Sequence, residues 1–137
     1  MIGIIVVTHS KLGDALIEAA EFVIRDQLDS VESISINLGE NAEKLREKID
    51  KGIKKVEKSK GVLILTDMFG GTPSNLSYSF LEEGRVEVIS GVNLPLLIKA
   101  VTTRNTMELN DLAISLEAFG KKSISLASGI LKGNKRE

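Results

Sequence analysis

The chain contains no cysteine and no tryptophan, and only one histidine, one tyrosine and two prolines occur among its 137 residues. The absence of cysteine excludes disulfides, thiolate catalysis and cysteine-based zinc sites, and it fits a reducing compartment. The 18 basic and 19 acidic residues form no long block of either sign, which disfavours a nucleic-acid partner. No apolar run approaches the roughly 18 residues of a membrane span or has the basic flank of a signal peptide. We therefore expect a soluble, cytoplasmic protein.

The order of apolar runs and helical patterns indicates the fold class. With 42% hydrophobic residues the chain suffices for one core, and we expect one domain over residues 1–130 and a polar tail over residues 131–137. Strands are expected at Ile2–Val7, Val31–Leu38, Gly61–Asp67, Val86–Ile89 and Ser123–Ala127. Helices are expected at Leu12–Arg25, Asn41–Lys58, Ser74–Leu81, Leu94–Thr103 and Met107–Phe119.

This alternation predicts a three-layer α/β/α fold with a mainly parallel sheet. The usual topology of open sheets gives the strand order 2-1-3-4. Two helices precede the fifth strand and return the chain to the wrong end for a parallel strand, so we expect that strand to be antiparallel and at an edge. Such an edge is a natural place for a second copy to dock or to exchange strands.

Polar residues follow two buried strands at the sheet edge where chemistry is expected. Thr8, His9 and Ser10 come after the first apolar run, and Asp67 ends the third strand. These strands are neighbours in the predicted order, so their carboxyl ends meet. Imidazole is largely neutral near pH 7 and is then a competent nucleophile. If Asp67 accepted a hydrogen bond from one ring nitrogen, the other nitrogen of His9 would be left able to attack.

A glycine-rich turn follows Asp67 and predicts an anion site. Gly70 and Gly71 would let backbone amides approach a phosphate, and the helix expected after them favours negative charge at its amino end. Thr72 is expected to cap that helix and Pro73 to take its first position. Hydroxyls of Thr8, Ser10 and Thr72 would add donors. A lone histidine, an aspartate and a Gly-Gly turn each have ordinary structural explanations, but their coincidence at one edge favours function.

Four segments together resemble the mannose/fructose/sorbose family of enzyme IIA components of the bacterial phosphoenolpyruvate-dependent sugar phosphotransferase system. They are IIVVTHSKLGDAL, GENAEKL, GVLILTDMFGGTPSN and SGVNLPLL, in this order along nearly the whole chain. The resemblance implies a mannose-type IIA domain with phosphotransferase activity. It also implies that the chain receives a phosphoryl group from the phosphocarrier HPr and passes it to a IIB component, which phosphorylates sugar entering through the membrane partners IIC and IID.

Carried onto this sequence, the resemblance makes His9 the phosphorylated histidine and Asp67 its hydrogen-bonding partner. The phosphate-binding loop that it implies comprises Phe69, Gly70, Gly71, Thr72 and Ser74. It further implies a homodimer that exchanges the last strand and no cofactor beyond the covalent phosphohistidine. Since the chain ends at Glu137 without a fused IIB domain, we expect IIB to be a separate protein. Met68, Phe69 and Leu94 are expected to give partners apolar contacts around the histidine.

Other interpretations stay open. The phosphotransfer subunit of dihydroxyacetone kinase resembles the VTHS segment, although we expect that branch to lack the GGTPSN loop. A non-catalytic ligand-binding or regulatory α/β module shares the architecture, but no Gly-x-Gly-x-x-Gly, Walker or Gly-x-Ser-x-Gly motif occurs. No metal site is expected with one histidine and no cysteine, although an all-carboxylate magnesium site stays possible by count. The sequence leaves open the transported sugar and the ring nitrogen that carries phosphate.

Overall fold

Four strands and six helices make up the computed structural model, which describes residues 1–68 and 70–133. The strands are β1 (Gly3–His9), β2 (Val31–Ile36), β3 (Val62–Thr66) and β4 (Val86–Ser90). The helices are α1 (Leu12–Ile24), α2 (Ala42–Val56), α3 (Thr72–Tyr78), α4 (Leu94–Thr103), α5 (Leu109–Lys121) and α6 (Ala127–Leu131). Residues 134–137 of the predicted polar tail lie outside the described part of the chain. Among the described residues, no helix is both long and apolar enough to cross a membrane.

The sheet confirms the predicted class and strand order. Its four strands run parallel in the order β2-β1-β3-β4. One face packs against α1, α4 and α5, and the other packs against α2 and α3. Because both faces are covered, the two central strands are buried on both sides, which explains their continuous apolar sequences.

Residues of β1 alternate between these two layers. Ile4 and Val6 belong to the core beneath α1, α4 and α5, whereas Ile5 and Val7 belong to the core beneath α2 and α3. Successive side chains of a strand point to opposite faces. Thr8 therefore turns towards α1, and the next residue, His9, turns towards α3.

The start of α3 differs from the prediction at one residue. Gly71 is the N-cap, with extended backbone angles of φ −88° and ψ 170°, and no side chain caps the helix. Thr72 is the first helical residue, so the prediction that it caps the helix is wrong, whereas Pro73 lies in the first turn as expected. A glycine cap leaves the space beside the first turn clear of side-chain atoms, which matters for the site described below.

The predicted fifth strand is not formed within this chain. Residues 123–126 have no regular secondary structure, and α6 follows immediately. A strand needs a neighbouring strand for its backbone hydrogen bonds, and within the described residues the sheet ends at β4. Leu126 and Leu131 are 76% and 86% exposed. The structure holds one chain, so exchange of this segment between two copies stays a prediction.

A buried arginine closes the opposite end of the sheet from His9. Arg104, only 4% exposed, donates hydrogen bonds to the backbone oxygens of Asp29 (2.6 Å), Ile2 (3.3 Å) and Ser30 (3.4 Å). These carbonyls lie at or before the amino ends of β1 and β2. Burial lowers the pKa of Arg104 below its ordinary value. The contacts tie the end of α4 to the amino end of the sheet, where the Ser30 oxygen also accepts the backbone N–H of Ile4 at 3.0 Å.

Candidate functional site

His9 and Asp67 meet at the carboxyl edge of the sheet. His9 is the last residue of β1, and Asp67 follows the last residue of the neighbouring strand β3. His9 Nδ1 lies 2.9 Å from Asp67 Oδ2, and half of the imidazole side chain is exposed whereas only a tenth of the aspartate is. The predicted pair is therefore placed together, with the ring accessible and the carboxylate largely covered.

The carboxylate of Asp67 is fixed by three hydrogen bonds. Its Oδ2 accepts the backbone N–H of His9 at 2.9 Å as well as the Nδ1 contact, and its Oδ1 accepts the backbone N–H of Met68 at 3.0 Å. An ionised carboxylate only accepts hydrogen bonds, so this contact favours the tautomer with the proton on Nδ1. The lone pair then lies on Nε2. The arrangement presents Nε2 to an incoming electrophile and stabilises the cation that a new bond at Nε2 would create.

The Gly70-Gly71 turn lies against the imidazole. A Cβ atom on Gly71 would lie 3.1 Å from Cε1 and 3.5 Å from Nε2 of His9. Gly70 has φ +86°, in the left-handed region that favours glycine, and its N–H donates to Ser74 Oγ at 3.0 Å. Ser74 in turn donates to the backbone oxygen of Gly71 at 3.1 Å. The turn is thus held by Ser74 and keeps side-chain atoms away from the free ring nitrogen.

The other predicted loop residues occupy different positions. Ser74 is fully buried, so it holds the loop in this structure. Thr72 and Ser10 are exposed, and Ser10 adopts φ +52° with its N–H donating to the backbone oxygen of Ile36 at 2.9 Å. Phe69 lies outside the described residues.

Thr8 does not lie where a phosphate donor was expected. It is fully buried, and its Oγ1 accepts the backbone N–H of Gly13 at 2.8 Å. The hydroxyl therefore fixes the first turn of α1 on the face of the sheet opposite to α3. The alternation of side chains along β1 is the signal that separates Thr8 from His9.

Two of the three residues predicted to form an apolar rim for partner proteins, Met68 and Leu94, lie in the described part of the chain. Met68 is 54% exposed, and its Cγ would lie 3.5 Å from a Cβ on Gly71, which places it beside the loop. Leu94 begins α4 and is half-buried. Asn93 caps α4 by accepting the N–H of Leu96 at 3.0 Å, so the NLPLL segment starts a helix at this same edge.

A chain of three hydroxyls was missed by sequence reasoning. Thr66, the fully buried residue before Asp67, donates through Oγ1 to Ser90 Oγ at 2.9 Å. Ser90 Oγ lies 2.8 Å from the hydroxyl of Tyr78, the last residue of α3. Thr66 and Ser90 are paired in the parallel register at the ends of β3 and β4. The sequence did contain a signal for this chain of hydroxyls, because residues with hydroxyl side chains end both β3 and β4.

A comparison with known protein families identifies the family of this chain. The profile of the PTS system fructose IIA component family (EIIA-man) matches residues 3–117, which include β1 to β4 and most of α5. The chain belongs to this family. As an EIIA component, it is part of the phosphotransferase system for sugars, and the family placement agrees with the resemblance stated from the sequence.

Individual EIIA relatives agree with this placement. The chain is 32% identical over 129 residues to the fructose-specific EIIA component of Bacillus subtilis, covering 93% of this chain and 88% of the relative. It is 35% identical over 128 residues to the mannose-specific EIIAB component of Escherichia coli K12, of which it spans only 39%. A crystal structure of an EIIA component from Streptococcus agalactiae superposes with a TM-score of 0.83 at 28% identity, covering 93% of this chain and 98% of that one.

Proposed function

We propose that this EIIA-family chain is a phosphohistidine carrier. His9 accepts a phosphoryl group from phospho-HPr and passes it to a separate IIB component for sugar uptake. The observation that supports this most directly is the 2.9 Å contact between His9 Nδ1 and Asp67 Oδ2, which leaves Nε2 as the nucleophile on a half-exposed ring. His9 is also the only histidine of the chain, so a phosphohistidine has one possible position.

The reaction is an in-line transfer between two imidazoles. The Nε2 lone pair of His9 forms a bond to phosphorus while the bond from phosphorus to the HPr histidine breaks, and the HPr nitrogen keeps that electron pair. The His9 ring becomes cationic while its Nδ1–H stays hydrogen-bonded to Asp67, whose negative charge stabilises the phosphorylated ring. Transfer to IIB reverses this bond change. The proposal needs no metal or cofactor besides the covalent phosphohistidine.

The loop and the rim give the phosphoryl group its surroundings. Gly71 leaves space next to Nε2, and the exposed Ser10 and Thr72 are near in sequence to the two sides of the site. We assign the phosphate contacts to Ser10, Gly71 and Thr72. The N–H of Gly70 donates to Ser74 Oγ, so Gly70 and Ser74 shape the loop. Partners would contact the apolar rim that includes Met68, because HPr and IIB must each bring a reacting atom to Nε2.

The same proposal includes a homodimer. A groove of about 590 Å³ runs beside β4, lined by strand residues such as Glu87 and Ile89 and by Ile114 of α5. The segment after α5 exposes Leu126, Ile130 and Leu131, which would supply apolar side chains to such a groove in a second copy. The carrier would act in the cytoplasm and reach the membrane components IIC and IID only through IIB.

Intact mass measured after incubation with phosphoenolpyruvate, enzyme I and HPr tests the carrier function. We expect one added phosphoryl group that is acid-labile, as a phosphorus–nitrogen bond is, and that is absent from His9→Gln. A purified IIB component should then remove it. Asn75→Gln is a suitable control, because Asn75 is exposed on the same helix as the loop and should not affect the added mass.

Two outcomes would contradict the proposal. A wild-type chain that gains no mass while HPr is phosphorylated would favour a non-catalytic binding module. An acid-stable phosphoryl group that persists in the His9 variant would place the acceptor on another side chain. Folding of both variants, followed by circular dichroism, separates loss of the nucleophile from loss of the fold.

A further inference from the structure

Helix α3 is held at both ends by polar contacts. At its amino end, the loop that carries Gly71 is closed by Ser74 and lies against the His9 ring. At its carboxyl end, the hydroxyl of Tyr78 lies 2.8 Å from Ser90 Oγ. The helix has only seven residues and is about 10 Å long, so we expect its two ends to move together.

The hydroxyl chain at Tyr78 leads back to the aspartate of the site. Ser90 accepts from Thr66 Oγ1 at 2.9 Å, and Thr66 directly precedes Asp67. Thr66 is fully buried, whereas Ser90 and Tyr78 are partly exposed and line the groove beside β4. The three hydroxyls therefore connect the end of α3 to the strand end that orients His9.

We propose that Tyr78 is a positioning residue for phosphotransfer. Its hydroxyl, through Ser90, holds α3 at the distance from the sheet at which Gly71 faces Nε2 of His9. This inference rests on the proposed carrier function. Tyr78 is the last residue of α3, at the other end of the helix from the loop, so we expect it to affect the transfer step and not the binding of HPr.

Tyr78→Phe removes one hydroxyl and keeps the ring. We expect kcat for transfer from phospho-HPr to His9 to fall about five-fold with KM for HPr unchanged, the ratio that corresponds to one neutral hydrogen bond of about 1 kcal/mol. Ser90→Ala interrupts the same chain, so the double variant should lose no more than the more impaired single variant. Because the chain has one histidine, NMR signals of its ring report the site directly, and the Cε1–H signal should shift in Tyr78→Phe.

Ser79→Ala is the matched control. Ser79 follows Tyr78, and its hydroxyl donates to the backbone oxygen of Leu76 at 2.6 Å and accepts from Arg46 at 3.1 Å, outside the hydroxyl chain. Its kcat and ring signals should equal those of wild type. A Tyr78→Phe variant with wild-type kcat and ring signals overturns the inference, even if its melting temperature falls, and so does an effect confined to KM. Failure of wild type itself to accept phosphate overturns the carrier function first and is recognised without any variant.

Discussion

Replacing Asp67 by asparagine tests the central hydrogen bonds of the site while keeping the side-chain size. Asp67 Oδ2 accepts both the backbone N–H and Nδ1 of His9, and Oδ1 accepts the N–H of Met68. An amide has only one acceptor atom. In one orientation its NH₂ group opposes the N–H of Met68, and in the other it opposes the N–H of His9. The second orientation also favours moving the ring proton to Nε2, which removes the attacking lone pair.

The size of the effect follows from the lost interaction. A hydrogen bond to a charged group contributes about 1.5–3 kcal/mol, and each 1.4 kcal/mol corresponds to about ten-fold in rate. This bond strengthens as the His9 ring becomes cationic, so its loss slows transfer. Half of the His9 side chain is exposed, and solvent screening weakens its interaction with the charge of Asp67. We therefore expect Asp67→Asn to reduce the transfer rate by about ten-fold, which corresponds to the lower limit of that energy range.

Single-turnover transfer of labelled phosphate from phospho-HPr measures this rate, and ¹⁵N NMR of the single histidine reports which ring nitrogen carries the proton. Asp26→Asn is the matched control, because Asp26 is exposed and accepts the N–H of the next residue, Gln27, at 2.9 Å. A wild-type transfer rate in Asp67→Asn, with the proton still on Nδ1, would refute the reasoning.

Three further predictions concern other parts of the molecule. Gly71→Ala places a methyl group 3.1 Å from Cε1 of His9 and should slow phosphotransfer by about ten-fold or more in the same assay. The melting temperature should change little, because the φ of Gly71 is −88°, which alanine adopts readily. A wild-type transfer rate would contradict this prediction. Arg104→Ala removes a buried side chain together with its three hydrogen bonds to backbone oxygens, and urea unfolding should show a loss of about 3 kcal/mol of stability. A loss below about 1 kcal/mol would count against the role of Arg104. A hydrogen bond from Lys48 lowers the pKa of Glu40 from 4.5, so the pair stabilises the fold above pH 4.5 and this contribution is lost as the pH falls through the lowered pKa. The difference in melting temperature between wild type and Lys48→Met should therefore shrink from about pH 7 to about pH 3. A difference that stays constant would argue against this role of the pair.

The pairing of His9 with Asp67 was predictable because both residues end buried parallel strands. Once β1 and β3 are neighbours, their carboxyl ends meet, whatever the details of packing. The strand order itself follows from short right-handed crossovers, which leave few alternatives for this sequence of elements. Prediction of the backbone topology therefore required little beyond the positions of the apolar runs.

The position of Thr8 was harder to predict because β1 is buried on both faces. A continuous apolar run hides the alternation that an amphipathic strand displays, so Thr8 and His9 looked like one polar cluster. Tyr78 could not be found for a different reason. Its contact with Ser90 depends on the path of α3 relative to the sheet, which is set by tertiary packing of residues such as Pro73 and Ser77.

The segment after α5 shows the limit of local patterns. The alternation of Ile124 and Leu126 with serines is typical of a strand, but hydrogen bonds of a strand come from a neighbour that the segment itself does not specify. Within one chain these residues precede α6 instead. A pattern can indicate the tendency to pair, whereas the partner is decided by what lies beside β4.

The opposite orientations of Thr8 and His9 make the length of β1 a functional quantity. A deletion of one residue within β1 would carry the imidazole to the face beneath α1, where Gly13 approaches so closely that even a Cβ on it would lie 3.2 Å from the backbone oxygen of Val6 and 3.3 Å from Thr8 Oγ1. That space admits a threonine and excludes a larger ring. The lack of space beneath α1 therefore disfavours a shift of β1 by one residue. Such a shift would remove the imidazole from the face of the sheet on which its chemistry takes place.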